Sequence, residues 1–341
     1  MNRLKLAALA AALGCASTTL QAADTYTLRF GHFLPSSAHQ QRLIFEPWCA
    51  KLKEESAGRL QCQIYPSMQL GGTPAKLADM VRNGVADIVW TAPSYSPGKF
   101  PRIEAIEQPF QLPYGAKASN AIIWQFYQQY AQEDFKDYKV LAMHGDGGMG
   151  FHSRSKPIAN LGDLKGMKLR ASNRASAMLV EALGAAPVSM PPAQMTEALS
   201  KGVIDGVLFT WNTVRDVKIN EVTQYHSEAP QGAPSLTNTV LTMLMNQQTY
   251  AKLPKDLQEI VDRNSGPALN ELISTVWDQE MVNARKATPD EQIVNLTPEA
   301  YRQMQAAAEP VARNWVKEVA AKGVDGEPLL KGIKDIRDQT R

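Results

Sequence analysis

The feature that most constrains the fold is one α/β junction that occurs twice, in distant parts of the chain. "LADMVRNGVADIVWT" and "MTEALSKGVIDGVLFT" align on Gly84 and Gly202, and each copy is typical of a helix, a Gly-Val-x-Asp turn and a short apolar strand. The glycine suits the left-handed conformation that ends a helix, and Asp87 and Asp205 also align. Such junctions are common, but two copies so far apart indicate one similar α/β unit in each of two lobes.

The segments before the first copy predict a parallel sheet. "TYTLRFGHFLP" is typical of a strand that ends in a turn, and residues 38–56 of a helix. "GRLQCQIYP" is typical of a second strand, in which Leu60, Cys62 and Ile64 alternate with polar residues. The order strand, helix, strand implies a parallel pair with a crossover helix. The chain of 341 residues is long enough for two domains, so we predict a two-lobed α/β protein.

The predicted lobes are each built from two separate segments. Lobe I would comprise residues 24–148 and 236–276, and lobe II residues 149–235 and 277–341. "YKVLAMHGDG" is predicted to leave the first lobe as a strand, and "TVLTMLMNQQTYAKLP" to cross back as a strand and a helix. From Pro254 the pattern is mostly helical, with an apolar stripe from about Leu269 to Met281 and one strand-like "EQIVNLT". Such a helical tail is well placed to bridge both lobes.

Residues 1–23 are predicted to be an export signal and not part of the fold. A basic start precedes an apolar run over residues 6–16, and small and polar residues follow, which is the order of a secretory signal peptide. The run is too short to cross a bilayer, and we expect cleavage near Ala22 or Ala23. A lipoprotein signal ending at Cys15 is the alternative. An exported bacterial chain would lie in the periplasm, which is oxidising.

The composition and charge argue against a nucleic-acid-binding protein. Hydrophobic residues make up 44% of the chain and charged residues 21%, the profile of a soluble globular protein. Lys and Arg number 36 against 34 acids, and the signal holds two of the basic residues and no acid. The mature chain would therefore be close to neutral, whereas binding to nucleic acid requires a basic excess or cluster.

Two cysteines would remain after cleavage of the signal. Cys49 lies on the predicted helix and Cys62 on the strand that follows. A disulfide between them is one interpretation, and two small buried thiols are another. A metal pair is less favoured, because no further cysteine and no closely spaced histidine completes a set of ligands.

No motif in the sequence predicts a cofactor, a metal or a catalytic centre. "GDGGMG", residues 145–150, fits G-x-G-x-x-G, but "FHSRSKP" follows it and is typical of a strand and a turn, whereas the dinucleotide motif opens a helix. We interpret it as a glycine-rich connection between lobes. G-x-S-x-G, H-E-x-x-H and the P-loop are absent from the sequence. An enzyme is therefore disfavoured, with a triad assembled in space as the alternative.

Two arginines are predicted at strand ends in the second lobe. Met167 and Leu169 alternate with Lys168 and Arg170, as in a strand with one buried face, and Arg154 follows another predicted strand. A guanidinium in a cleft can hold a carboxylate through two parallel hydrogen bonds, each of which contributes about 1.5–3 kcal/mol. The alternative is that both arginines lie on the surface and pair with local acids.

Aromatic residues follow the predicted strands at the corresponding turns. In open parallel sheets, ligands bind beyond the carboxyl ends of the strands. Aromatic side chains at those ends could form an apolar slot behind an arginine clamp. Ordinary core and hinge packing is the alternative for each of them. The residues concerned are Phe33, Trp90, Tyr95, Phe209 and Trp211.

Five stretches, taken in their order and spacing, resemble one protein family. They are "YPSMQLGG", "VRNGVADIVW", "LGDLKGMKLRAS", "ALGAAPVSMP" and "EALSKGVIDG". The chain resembles the substrate-binding proteins of tripartite ATP-independent periplasmic (TRAP) transporters, solute-binding family 7. The resemblance implies a two-lobed periplasmic-binding-protein fold of type II-like form, with a long helix that spans both lobes. It also implies that the two lobes close around an organic acid. It also implies delivery of that acid to an integral-membrane permease driven by an ion gradient.

The resemblance assigns roles to particular residues and suggests the kind of ligand. The family's signature arginine matches Arg170, its neighbouring asparagine Asn173, and a second arginine Arg154. Sialate and C4-dicarboxylate binders usually carry an asparagine-bearing stretch where this chain has "VLFTW", and many members have Pro-Phe where it has Pro191-Pro192. "IVWTAPSYSPGKFP" is similar to the branch that takes aromatic or apolar monocarboxylates such as mandelate, benzoylformate and indole-acetate.

The resulting hypothesis is a periplasmic receptor for a small carboxylate. Arg170, Arg154 and Asn173 would hold the carboxylate, and the aromatic residues would enclose the apolar part. A ligand that touches both lobes would favour the closed state by its differential affinity. A secreted α/β enzyme acting on small carboxylates and a ligand-sensing module are the alternatives.

Overall fold

A computed structural model describes residues 24–340 of the protein. The predicted signal peptide at residues 1–23 lies outside the described residues. Among residues 24–340, no helix combines the length and the apolar character that a membrane crossing requires.

Eleven strands in the described residues form two separate sheets. In chain order they are β1 (Tyr26–Gly31), β2 (Leu60–Tyr65), β3 (Ile88–Thr91), β4 (Tyr138–Gly145), β5 (Met149–Ser153), β6 (Lys168–Ala171), β7 (Ala186–Ser189), β8 (Gly206–Thr210), β9 (Tyr225–Glu228), β10 (Val240–Asn246) and β11 (Ile293–Asn295). The first sheet has the order β2-β1-β3-β10-β4, and the second the order β11-β9-β5-β8-β6-β7.

Eleven α-helices in the described residues cover these sheets. They are α1 (Glu46–Glu55), α2 (Leu77–Arg82), α3 (Ala116–Phe126), α4 (Leu161–Leu164), α5 (Arg174–Ala182), α6 (Met195–Ser200), α7 (Gln247–Lys252), α8 (Lys255–Arg263), α9 (Pro267–Lys286), α10 (Pro298–Ala320) and α11 (Gly326–Gln339). A π-helical segment, Gln41–Phe45, leads into α1. The helix predicted over residues 38–56 is therefore confirmed in outline.

Each sheet contains a parallel pair that matches one copy of the sequence repeat. In the first sheet β1 is parallel to β2 and β3, and in the second β6 is parallel to β7 and β8. The first sheet also takes in β10, which runs antiparallel between β3 and β4. All seven residues of β10 are buried, the pattern typical of a strand that is covered on both faces of its sheet.

The repeat is a true structural repeat, down to individual hydrogen bonds. Gly84 and Gly202 both adopt left-handed conformations, with φ of +73° and +67°. The Asp87 carboxylate accepts from the Arg29 N–H of β1 at 2.9 Å, and the Asp205 carboxylate accepts from the Lys168 N–H of β6 at 2.8 Å. Each aspartate thus fastens the turn after a helix to the neighbouring parallel strand, which explains why the two copies share Gly-Val-x-Asp.

The glycine-rich motif at residues 145–150 carries the chain from the first sheet to the second. β4 ends at Gly145 and β5 begins at Met149. Gly148 has a φ of +103°, and a Cβ there would lie 2.8 Å from side-chain atoms of Ser235 and Tyr114. The motif opens a strand and not a helix, so its interpretation as a connection is confirmed.

Helix α9 lies against both lobes. Leu269, Ile273 and Trp277 repeat every four residues and pack in the core beside the first sheet. Ala284, near the end of the helix, packs in a core cluster of the second lobe that includes Phe209 and Trp211. The long bridging helix that the apolar stripe predicted is therefore present, from Pro267 to Lys286.

The end of the chain departs from the predicted residue ranges of the lobes. The other ranges stay a prediction. Residues 277–341 were expected in lobe II, but Trp315 and the apolar residues of α11, Leu329, Ile333 and Ile336, pack in the core beside the first sheet. An amphipathic stripe shows that a helix has a buried face but does not identify its partner. The end of α10 and all of α11 thus return to the first lobe.

The two cysteines of the described chain are joined. Cys49 on α1 and Cys62 on β2 form a disulfide, with their Cα atoms 5.7 Å apart. The bridge ties the first crossover helix to the sheet's edge strand. A bridge that closes a short loop stabilises a fold by about 2–4 kcal/mol. Of the interpretations left open by the sequence, the structure has the disulfide.

Candidate ligand-binding site

A small cavity lies between the two sheets, at the carboxyl ends of their parallel strands. The first lobe contributes residues that follow β1 and end β3, and the second contributes residues that end β6 and β8. The cavity volume is about 40 Å³. Ligands of open α/β sheets bind at this edge because each strand there gives way to a loop.

Arg170 is the charged group of the second lobe in this cavity. Its side chain is 1% exposed, and its Nε donates to the Met190 carbonyl at 3.2 Å. Its Nη1 and Nη2 have no hydrogen-bond partner among the described residues. Burial lowers the pKa of the guanidinium, against the raising effects of the nearby Tyr95 hydroxyl and Asp146 carboxyl group, yet arginine stays charged in proteins. A buried cation with two free donor nitrogens is costly unless an anion completes it.

The face of Phe209 supports the same guanidinium. The ring centroid lies 5.5 Å from the Arg170 Cζ atom, within the range of a cation–π contact. Phe209 is the residue before the end of β8, which pairs with β6. The parallel pairing therefore places an aromatic face beside the cation, as the sequence-based hypothesis proposed.

The first lobe supplies an aromatic wall. Phe33 and Trp90 stack with ring centroids 4.9 Å apart, and Tyr95 meets Phe33 edge-on at 5.6 Å. The Trp90 indole N–H donates to Nε2 of His144 at 3.0 Å, so its polar atom is satisfied away from any ligand. Phe33, Trp90 and Tyr95 all line the cavity together with Arg170. The structure thus brings together these three predicted residues.

Asn173 lies beside the cavity and serves first as a helix cap. Its Oδ1 accepts from the Ser176 N–H at 2.8 Å at the start of α5, and its Nδ2 has no partner among the described residues. The residue lines an adjoining part of the interlobe cleft with Tyr95 and Ser172. Its predicted contact with a ligand stays a prediction.

Arg154 does not join Arg170 in the cavity, so its predicted place is corrected. The side chain is exposed, and its guanidinium lies against Gly202, at the turn before β8. β5 runs antiparallel to β8, and Ser153 pairs with Gly206, where β8 begins. The end of β5 therefore lies at the edge of the sheet opposite to the carboxyl ends of β6 and β8.

Trp211 also lies outside the cavity. β8 ends at Thr210, and Trp211 begins a 3₁₀ turn, Trp211–Thr213, that changes the direction of the chain. The indole packs 4.9 Å from the rings of His152 and of His226 inside the second lobe. Core packing, the alternative left open for each aromatic residue, holds for this one.

The cavity residues that sequence reasoning did not find include a buried carboxyl group and a tryptophan. Asp146 lies in the connection between β4 and β5, and Trp277 lies on the bridging helix α9. Trp277 is 2% exposed, and its indole N–H has no partner among the described residues. The signal for Asp146 was its place inside "GDGGMG", whereas the apolar stripe of α9 gave no sign that Trp277 reaches a cavity.

Asp146 is a buried carboxyl group in a fixed position. The side chain is 3% exposed, and its two oxygens accept from the N–H groups of Gly148 and Thr239, each at 3.0 Å. Burial raises the pKa of Asp146 to about 7, against the lowering effect of these N–H groups and of Arg170. Both a neutral and an ionised carboxyl group are thus accessible near neutral pH.

Hydrogen bonds cross between the lobes beside the cavity. His39 Nδ1 and the Asp216 carboxylate are 2.5 Å apart, and Gln40 Nε2 donates to Thr213 Oγ1 at 3.0 Å. Ser172 and Thr239 pair through their hydroxyl groups at 3.0 Å. These contacts hold the two lobes together around the cavity in the arrangement described here.

Comparison with known families gives one match across most of the chain. The model of the bacterial extracellular solute-binding proteins, family 7, matches residues 30–318. The matched region includes both copies of the repeat, Arg170 and all strands of the two sheets except most of β1.

Solved structures agree in fold with the whole described chain. A TRAP solute-binding protein from a marine metagenome, specific for aromatic acid ligands and in complex with 3-hydroxybenzoate, is 38% identical with a TM-score of 0.89, covering 93% of this chain and 99% of that one. One from Rhodoferax ferrireducens, with copurified benzoate, is 36% identical with a TM-score of 0.88, covering 93% and 98%. A periplasmic one from Bordetella bronchiseptica, with bound (R)- and (S)-mandelate, is 25% identical with a TM-score of 0.82, covering 93% and 100%.

Proposed function

The chain belongs to family 7 of the bacterial extracellular solute-binding proteins, the TRAP solute-binding proteins, and we propose that it binds an aromatic monocarboxylate between its two lobes. Its relatives are transport proteins that bind a solute and are not enzymes. The proposed role is accordingly capture and delivery, without covalent change of the ligand.

One observation carries the proposal. Arg170 is buried, with both Nη atoms free of partners among the described residues, in a cavity that several aromatic rings also line. A planar guanidinium can hold a carboxylate through two parallel hydrogen bonds, which a lysine cannot do. The arrangement favours an anion with a flat apolar body over a sugar acid or a small dicarboxylate.

The aromatic wall supports the proposed ligand class. Phe33, Trp90 and Tyr95 face the guanidinium side of the cavity from the other lobe. A benzene ring among such side chains gains both burial of apolar area and offset or edge-on ring contacts. The ligands named for three similar proteins, 3-hydroxybenzoate, benzoate and mandelate, combine one ring with one carboxylate.

Closure of the lobes follows from the placement of the two halves. The carboxylate would be held by lobe II and the ring by lobe I, so only the closed arrangement offers both sets of contacts. A ligand shifts such an equilibrium by the difference between its affinities for the two states. Asn173, with its free Nδ2, would add one donor at the rim of the cleft.

The cellular setting is part of the proposal. We place the mature chain in the periplasm, where it would deliver its ligand to an integral-membrane TRAP permease. The predicted signal peptide and the family's extracellular character support this location, and the Cys49–Cys62 disulfide suits an oxidising compartment.

A thermal-shift panel tests the ligand class. The protein would be unfolded, dialysed and refolded to remove any bound acid, then heated with benzoate, 3-hydroxybenzoate, (R)-mandelate, glucuronate or benzamide. Ligand that binds only the native state stabilises it by about 2.7 kcal/mol at a hundredfold excess over Kd. We expect the melting temperature to rise with the three aromatic acids only.

The last two compounds are matched controls. Benzamide keeps the ring of benzoate and loses the charge, and glucuronate keeps a carboxylate and loses the aromatic ring. An equal rise in melting temperature with benzamide would show that binding does not depend on a carboxylate held by Arg170. A larger rise in melting temperature with glucuronate than with the aromatic acids would show that the site does not select an aromatic ring.

A further inference from the structure

Asp146 shares the cavity with Arg170 but is not its counter-ion. Both residues line the same small space, and no ion pair or hydrogen bond joins their side chains among the contacts of residues 24–340. The carboxyl group is instead held by main-chain N–H groups of Gly148 and Thr239. The site therefore presents a cation with free donors and, beside it, a separately supported carboxyl group.

The position of Asp146 is set by contacts from several segments. Its main-chain carbonyl accepts from Thr210 Oγ1 at 2.7 Å and from Asn212 Nδ2 at 2.9 Å. Gly148, two residues later, has no room for a side chain. With the two bonds to its carboxyl oxygens, the residue is fixed at four points and cannot swing out of the cavity when a ligand arrives.

We propose that Asp146 is a further specificity-determining residue, which takes up one proton when an aromatic carboxylate binds at Arg170 and donates a hydrogen bond to that ligand. The inference rests on the proposed function and deepens it. Each Asp146 oxygen accepts one N–H and keeps a second lone pair, so either can carry the proton. A protonated carboxyl group in an apolar site is a hydrogen-bond donor to an oxyanion.

Electrostatics gives the direction of the proton transfer. Two carboxylates that share a closed site cannot both remain ionised at low cost, and the pKa of one of them rises. Burial already raises the pKa of Asp146 to about 7 before any ligand is present. The ligand's carboxylate keeps its charge because it contacts Arg170, and the proton therefore goes to Asp146.

Other titratable groups face Asp146 and must be distinguished from it. Arg170 favours its ionised form, while Glu107, Tyr95 and Tyr114 interact with it through their charge when ionised. Burial raises the pKa of both tyrosines, which stay neutral near pH 7. Glu107 is the competitor, because burial raises its pKa to about 8. Its Oε1 accepts from Ser94 Oγ at 2.9 Å and from the Val240 N–H at 2.8 Å.

Calorimetric titration with benzoate tests the inference. Benzoate is fully ionised from pH 6 to pH 8.5, since unperturbed carboxyl groups titrate near pH 4. Phosphate and Tris have different heats of ionisation. Titrations at one pH in the two buffers therefore differ in heat in proportion to the number of protons exchanged with the buffer. We expect uptake of about half a proton at pH 7 and nearly one at pH 8, with a Kd that rises up to roughly tenfold per pH unit above pH 7.

Two variants locate the proton. In Asp146→Asn the site carries a permanent neutral donor, so we expect no proton uptake and a Kd that does not change with pH. Glu107→Gln is the control, and it should retain the uptake of the wild-type protein. If Asp146→Asn fails to fold, the wild-type and Glu107→Gln titrations decide alone.

Each outcome bears on the inference. Binding of benzoate by the wild-type protein without proton uptake overturns it and leaves the proposed function intact. Unchanged uptake in Asp146→Asn, or its loss in Glu107→Gln, assigns the proton elsewhere and overturns it as well. If no aromatic acid of the panel binds at all, the proposed function fails together with it.

Discussion

Two edges of the second sheet each carry an arginine at a strand end, in opposite surroundings. At the carboxyl ends of β6 and β8, Arg170 is buried over Phe209, and two of its nitrogens have no partner within residues 24–340. At the opposite edge, Arg154 is exposed beside Gly202. The side-chain chemistry is the same, so the difference shows that the edge of the sheet decides which arginine can become a binding group.

The reason lies in desolvation. An exposed guanidinium is hydrated and screened, and its ion pairs contribute about 0–1 kcal/mol. A buried guanidinium without a partner is held at a cost, and an anion that reaches it recovers much of that cost. The two edges therefore form a natural matched pair for mutagenesis.

The largest difference between the edges is expected for Arg170→Met. Methionine fills a similar volume but offers no charge-assisted hydrogen bond, so benzoate binding should weaken by about 3 kcal/mol or more, roughly hundredfold. The ligand-free protein should at the same time become more stable, with a melting temperature higher by roughly 2–4 °C per kcal/mol. Calorimetric titration and thermal melting measure the two effects.

A lower melting temperature for Arg170→Met without ligand would contradict the view of Arg170 as an uncompensated buried charge. Binding within tenfold of wild type would contradict its role in the site.

Arg170→Lys keeps the charge and removes the planar fork. We expect benzoate affinity to fall at least roughly tenfold, about 1.4 kcal/mol, because an ammonium group cannot make the two parallel bonds. The fold should be little affected. Wild-type affinity in a calorimetric titration of this variant would show that charge alone suffices at the buried edge.

Phe209→Leu tests the ring beneath the guanidinium. Leucine keeps the apolar volume but has no aromatic face, and a cation–π contact contributes about 0.5–2 kcal/mol, depending on how far it is desolvated. We expect benzoate Kd to rise about fivefold, which corresponds to ~1 kcal/mol. The same titration applied to Arg170→Lys/Phe209→Leu should give less than the sum of the two losses, since the residues are in contact.

Arg154→Lys should have the smallest effect. The side chain is exposed at the far edge, and surface substitutions usually stay within about 0.5 kcal/mol. We expect benzoate Kd within roughly twofold of wild type and an unchanged melting temperature. A tenfold loss would mean that the far edge takes part in binding, and the contrast between the two arginines would fail.

Much of the fold could be predicted from the sequence because its local rules agree. The repeat, the first strand–helix–strand unit and the bridging helix follow from periodicity, glycine turns and length, and the structure confirms them. The family resemblance then matched Arg170 to a signature residue through the motifs around it. Alternation alone predicted that the Arg170 side chain faces solvent, whereas Leu169, Arg170 and Ala171 are all buried.

Two errors at the site, those for Arg154 and Trp211, share one physical cause, which is the direction of the chain. Nothing local shows that β5 runs antiparallel to β8, so Arg154 was placed at the wrong edge. Nothing local shows that the chain leaves the strand direction at Trp211. Asp146 was overlooked because its glycine-rich motif was tested only as the start of a helix. In each case the position of the side chain depends on which segments pack together, and not on the residue type.

The place of β10 in the first sheet has a consequence for the order of folding. β10 (Val240–Asn246) pairs with both β3 and β4, and the chain reaches it only after all strands from β5 to β9. Contacts between residues far apart in sequence form slowly, because a long loop must close before the pairing is gained. The first lobe therefore cannot complete its sheet while the ribosome is still making the second. The first sheet of a nascent chain therefore stays incomplete at least until Asn246 has been synthesised.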